Sequence, residues 1–172
     1  STYLWRKNYE RVEHNQAIAL IRNLPTSHIG LWVAGQPIID YYSKIYPDLM
    51  RHTYFGRVNA ASADRFKTGN LNFKEAKNLP VGWGTRGRFR TLLDYKEPAM
   101  ALIDEAPRDK PFYIFASHSS HDPKYDGIHG ADGIFKARVD GLHSALTDAG
   151  CEFRVEYKFK RIQLYKAFCS KS

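Results

Sequence analysis

Apolar positions run almost without a break through "HIGLWVAG" (28–35) and "PFYIFAS" (111–117). Runs of this length suit strands buried on both faces, in the middle of a sheet with helices on either side. "CEFRVEYKF" (151–159) follows another rule: Cys151, Phe153, Val155, Tyr157 and Phe159 alternate with Glu152, Arg154, Glu156 and Lys158. Alternation of period two marks a half-buried strand. After Phe159 the apolar parity passes to Ile162, Leu164 and Phe168. A one-residue slip would turn every side chain over, so the chain must turn or bulge at Lys160–Arg161. A two-residue hairpin there pairs Phe159 with Ile162, Tyr157 with Leu164 and Phe153 with Phe168, and keeps one face apolar throughout.

Helical periodicity fills the rest. "YERVEHNQAIALIRNLP" (9–25) places Val12, Ile18, Ile21 and Leu24 along one face and ends before Pro25. "PIIDYYSKIYPDLM" (37–50) reads as a helix opened by Pro37 and broken near Pro47, with a strand at 51–60 after it. "EPAMALIDEA" (97–106) is a helix with proline in its first turn. Phe135, Val139, Leu142, Leu146 and Ala149 form one stripe, with Gly150 at the capping position. Together these predict a single α/β domain over 1–172. It has a mixed sheet, a C-terminal βαβ unit (111–159) and a final antiparallel hairpin, and residues 1–25 can stand as an N-terminal helical extension.

The 172 residues carry 26 Lys and Arg against 18 Asp and Glu, a formal charge of +8. Such a balance favours polyanionic partners: nucleic acid, a nucleotide-like anion, or an acidic protein surface. No apolar run approaches the ~20 residues that span a membrane, and "STYLWRKNYERVEHN" has no apolar signal core. The expected location is intracellular, in the cytoplasm or an organelle matrix. Cys151 and Cys169 form no CxxC pair, which argues against a cysteine zinc site. The hairpin would bring them together, but reduced thiols are the default expectation for so few cysteines.

Candidate chemistry falls in two stretches. "ASHSSHDPKYDGIHGADG" (116–133) leaves the end of a predicted buried strand, where open α/β sheets bind their ligands. His118, His121, Asp122, Asp126 and His129 offer imidazole and carboxylate ligands to a divalent metal, the one cofactor the residues suggest. His118 and His121 could equally work as general acid and base near neutral pH. Ser117, Ser119 and Ser120 supply hydroxyls for a phosphate ahead of a helix N-terminus. The plain alternative is a solvated connection, with Asp132 as N-cap and Pro123, Gly127 and Gly130 turning the chain.

The second stretch is "GWGTRGRFRTLLD" (82–94). Arg86, Arg88 and Arg90 can make bidentate phosphate contacts, and Trp83 can stack on a base. Gly82, Gly84 and Gly87 have GxGxxG spacing, but no strand precedes them, so this is not a dinucleotide fingerprint. "RGRFRTLL" resembles the acyl-CoA loop of GNAT acetyltransferases, with Phe89 where that loop has its second glycine. "FYIFASHSSHD" (112–122) and "FKARVDGLHSALTDAGCEF" (135–153) resemble the first strand, loop, helix and second strand of TIR domains. The TIR match covers about a third of the chain and carries over no catalytic residue. The reading that results is a basic protein binding nucleic acid or a phosphate-bearing ligand, with a hydrolytic or transferase site in loop 117–132. The alternative class is a non-catalytic accessory subunit of a large, organellar-type assembly.

Overall fold

The two continuous apolar runs lie side by side in the sheet, where burial of both their faces requires them to be. The computed structural model describes residues 2–33, 35–56, 95–117, 132–159 and 161–171. In chain order these hold α1 (Thr2–Asn23), β1 (His28–Val33), α2 (Gly35–Ile45), a 3₁₀ turn (Pro47–Arg51) and β2 (Thr53–Phe55). They continue with α3 (Lys96–Asp104), β3 (Pro111–Ser117), α4 (Asp132–Asp148), β4 (Cys151–Lys158) and β5 (Ile162–Cys169). The five strands form one mixed sheet in the order β2-β1-β3-β5-β4. β1 is parallel to both β2 and β3, while β5 runs antiparallel between β3 and β4.

Side-chain alternation sends two cores to the two faces of this sheet. On one face Ala17, Ile18 and Ile21 of α1 and Ile38, Ile39 and Tyr42 of α2 cover Ile29, Leu31, Tyr113, Phe115, Ile162 and Leu164. On the other, Ala99, Leu102 and Ile103 of α3 and Leu142, Ala145 and Leu146 of α4 cover Trp32, Phe112, Ile114, Ala116, Tyr165 and Ala167. Each fully buried aliphatic or aromatic side chain is worth about 1.5–3 kcal/mol over leaving it in water. The inner rows of α1 and α4 therefore hold those helices down more firmly than helix propensity does. Val12 departs from the face expected of it: it is 54% exposed, and Glu13, Ala17 and Ile21 take the inward row instead.

β3, α4 and β4 form the expected βαβ unit, but the two strands are not neighbours, because the C-terminal strand β5 is inserted between them. That insertion also departs from the paired consecutive strands a TIR-like unit implies. The hairpin closes as the parity shift requires, with the Phe159 N–H donating to the Ile162 carbonyl at 2.8 Å and Tyr157 opposite Leu164. The expected pairing of Phe153 with Phe168 does not occur. An irregularity between Val155 and Tyr157 moves the register by one, so Phe153 faces Ala167 and Phe168 faces Glu152. Such a bulge adds one residue to one strand. It turns Val155 to the α4 side, opposite Tyr165, and Tyr157 to the α1 side, opposite Leu164. One alternating row thus serves both faces in turn.

The register shift also sets Cys151 directly against Cys169. The two form a disulfide, which overturns the expectation of reduced thiols. Gly150, with φ of +74°, ends α4 in the left-handed conformation that glycine adopts without strain. Of the strand expected at 51–60, residues 53–55 are observed and 57–60 lie outside the described residues.

Candidate functional site

β1 and β3 end level with each other, Val33 opposite Ser117. The chain leaves β1 through α2 on one face of the sheet and leaves β3 towards α4 on the other. The strand after β1 lies on one side of it, and β3 lies on the other. This is a topological switch point, the place where open α/β sheets leave a crevice outside the carboxyl ends of their strands.

Three observations make this end unlike the rest of the core. First, among the described residues four polar or charged side chains are buried, and three of them lie at this end of the sheet: Glu13 (5% exposed) and Ser117 (0%) on the α1 face, and Gln163 (5%) on the α4 face. Second, Val33 holds φ at +58°. A β-branched residue pays about 1–3 kcal/mol for that conformation, and such strain concentrates at functional sites. Third, α2 begins against the β3 backbone. A Cβ on Gly35 would lie 3.1 Å from the Phe115 carbonyl oxygen, tighter than ordinary contact, so glycine eases the close approach of the helix start to β3.

Hydrogen bonds fix the polar groups. The Glu13 Oε1 accepts from the backbone N–H groups of Arg161 (2.6 Å) and Ile162 (2.8 Å), tying α1 to the turn between β4 and β5. The Tyr165 hydroxyl donates to Gln163 Oε1 and lies 2.9 Å from His143 Nε2. Burial pushes the Tyr165 hydroxyl well above the usual phenol range. Burial also holds the His143 imidazole below its ordinary value, against an opposing pull from Asp140. His143 and Tyr165 are therefore both neutral at pH 7, a buried polar chain between α4 and β5. The Trp32 indole N–H donates to the Arg138 carbonyl at 3.2 Å, joining the last turn of β1 to α4.

Of the residues singled out in the sequence, Ser117 stands at this site, as the fully buried last residue of β3. His118, Ser119, Ser120, His121, Asp122, Asp126 and His129, and likewise Trp83, Arg86, Arg88 and Arg90, lie outside the described residues. Among the described residues no group of three His, Cys, Asp or Glu could hold a metal ion. On either side of the stretch 118–131, Ser117 closes β3 and Asp132 opens α4. Sequence reasoning missed Glu13, Arg138 and Gln163. A signal existed for the first two: each is a charged residue in an inward helical row, Glu13 with Ala17 and Ile21, Arg138 with Leu142 and Ala145.

His28 and His52 belong to the opposite, amino-terminal end of β1. There His52 Nδ1 accepts the Ser27 N–H (3.2 Å), so Nε2 carries the proton and donates to the Ile21 carbonyl (2.9 Å). Burial lowers its pKa most, Arg51 lowers it further, and the Ile21 contact and Asp48 oppose this. A folded-state value below the ordinary 6.5 means that the unfolded chain takes up the proton first. The stability His52 contributes is full above that pH and is lost as pH falls from there through the folded-state value. Thermal unfolding should accordingly occur at lower temperature at pH 5.5 than at pH 7.5. His52→Gln should flatten that dependence while lowering stability at pH 7.5. An unchanged slope in the variant would show that His52 is not its source.

No protein-family model matches the chain, and no curated protein sequence matches it. Among the described residues no helix is long and apolar enough to cross a membrane.

Proposed function

We propose that this basic α/β protein binds a phosphate-bearing ligand, a nucleotide or nucleic acid, in the crevice at the carboxyl ends of β1 and β3. The observation that carries this reading is that three buried polar side chains lie at the end of the sheet where β3 stops, Glu13 and Ser117 on one face and Gln163 on the other, in a core that is otherwise almost wholly apolar among the described residues. Ligand crevices place a few polar groups among mostly apolar walls, and polar groups concentrated at one end of an apolar sheet fit that composition. The net charge of +8 supplies long-range attraction for a polyanion. Ser117 closes β3 at this end of the sheet, and in the proposed reading Ser117, Ser119 and Ser120 would meet phosphate oxygens. His118 and His121 would serve a hydrolytic or transferase step. Trp83, Arg86, Arg88 and Arg90 complete the reading as a phosphate- and base-gripping loop. A divalent metal held by His118, His121, Asp122, Asp126 and His129 would show in elemental analysis as about one ion per chain of protein purified without chelator.

Binding of a short oligodeoxythymidine should weaken steeply as salt rises, because each neutralised phosphate releases counterions. Replacing Arg86, Arg88 and Arg90 together by alanine should remove most of the affinity and leave the fold intact. No binding at low salt would favour the second reading, a non-catalytic accessory subunit of a large assembly. One observation supports that alternative: α2 exposes Tyr41 (60%) and Ile45 (51%) one turn apart, the kind of apolar stripe that partner proteins cover.

A further inference from the structure

We propose that the outer edge of β4 is a self-recognition surface, on which a second copy of this chain lays its own β4 in antiparallel pairing centred on Phe153. An open sheet has two edges, and an edge strand offers unpaired N–H and C=O groups to another chain. β2, at one edge, is observed over three residues, a short edge of the kind that resists pairing. β4, at the other, runs for eight, and among the described residues no strand lies on its outer side. Val155 shows what that edge leaves open: it stands opposite the fully buried Tyr165 yet is 41% exposed.

The register of the hairpin decides which backbone groups face outward. Cys151 and Cys169 lie directly opposite each other with Cα atoms 4.1 Å apart, the close spacing of a pair that exchanges no backbone hydrogen bonds. Pairing stays regular from Cys151 to Val155. Cys151, Phe153 and Val155 therefore turn their N–H and C=O groups away from β5, while Glu152 and Arg154 bond to it. The irregularity between Val155 and Tyr157 ends that alternation. A second β4 laid antiparallel has these three residues to bond with, and one register uses all of them: Phe153 against Phe153, and Cys151 against Val155 on either side. That register also sets Glu152 against Arg154 of the second copy, and the two-fold symmetry repeats the pair. Sliding the second strand two residues in either direction loses one of the bonded pairs and brings like charges together, Glu152 against Glu152 or Arg154 against Arg154. Opposite charges directly across a ladder stabilise it, and like charges destabilise it. Charges and a bulge on an edge discourage strands at large; here they also single out one self-pairing. Glu152 and Arg154 are both exposed. Arg154 holds Glu156 through Nε at 2.8 Å and stands across from Lys166 of β5. Its guanidinium carries further N–H donors, and a carboxylate from the second copy would offset the neighbouring charge of Lys166.

The test is sedimentation equilibrium of the whole chain from about 1 μM to about 1 mM. Salt at about 0.15 M screens the repulsion between two chains of net charge +8. Wild type should pass from monomer to dimer across that range. Glu152→Arg and Arg154→Glu should each weaken dimerisation about tenfold or more, because each turns both cross-strand pairs into like-charge pairs. Mixed in equal amounts, the two variants should dimerise with each other as well as wild type does, because every pair is then of opposite sign. Lys158→Glu should leave the dimer as it is, since Lys158 would face Glu152 only in a register centred on Val155. Hydrogen exchange supplies the residue-level readout. The Phe153 and Val155 amides should gain protection as concentration rises, and the Arg154 amide, bonded within the sheet, should not. A chain that stays monomeric at the highest concentration overturns the proposal. A dimer that both charge variants leave intact also overturns it and places the contact elsewhere, as on the exposed stripe of α2. Weakening by Lys158→Glu equal to that of the other two overturns the register centred on Phe153. Protection of Phe153 and Val155 that does not change with concentration would show that the chain covers its own β4 edge, and overturns the proposal as well.

Discussion

Glu13→Ala is expected to destabilise the protein by about 3 kcal/mol, or roughly 6–12 °C in melting temperature for a domain of this size. Glu13 is 5% exposed, and one carboxylate oxygen holds the N–H groups of Arg161 and Ile162. Removing it leaves two amides of the β4–β5 turn without their acceptor. Each such buried donor costs about 1–3 kcal/mol, and bonds to a charged acceptor are the stronger kind. The effect reaches beyond the turn, because Ile162 pairs with Ser117 and begins the strand that links β3 to β4. Glu13→Gln keeps a carbonyl acceptor and should restore at least half of the loss. Equilibrium unfolding in urea measures both variants. A Glu13→Ala variant within about 0.5 kcal/mol of wild type, the range of an ordinary surface substitution, would show that α1 is not tied to the hairpin in this way.

Breaking the disulfide should have an effect of similar size. Cys151 and Cys169 are 18 residues apart in sequence, and closing a loop of that length restricts the unfolded chain by about 3 kcal/mol. Cys169 is fully buried and Cys151 nearly so, both within the core under α3 and α4. The Cys169 carbonyl also accepts the Asp109 N–H at 2.9 Å, which ties the strand end to the loop before β3. Thiol titration in denaturant should find no free thiol until reductant is added and two afterwards. The Cys151→Ala, Cys169→Ala double variant should then melt well below wild type. Two free thiols in the untreated protein, with an unchanged melting temperature on reduction, would contradict the bond.

Much of the fold was legible in the apolar pattern because burial on two faces, one face or one stripe leaves different traces. β1 and β3 read as continuous runs and prove central. β4 reads as an alternating row and proves to be an edge strand, and Leu142 and Leu146 point inward from α4 as their spacing required. β5 was harder, because its central place is masked by Gln163 and Lys166. Gln163 is buried with the Tyr165 hydroxyl as its partner, and Lys166 reaches over the Tyr113 ring. The bulge near Glu156 and the disulfide it aligns depend on a one-residue change of register that side-chain type does not encode. Of the site, the sequence located the end of β3 through Ser117 but passed over Glu13 and Arg138. Neither was singled out, although its spacing from Ala17 or Leu142 placed it in an inward row.

The most direct test is an amide-resonance titration of isotopically labelled protein with a short oligodeoxythymidine, repeated at low and high salt. Binding at the switch point predicts shifts concentrated at Trp32, Val33, Gly35, Ser117 and the residues that follow it, with affinity falling as salt rises. Shifts confined to the exposed face of α2, or none at low salt, would contradict a phosphate-ligand site at the carboxyl ends of β1 and β3.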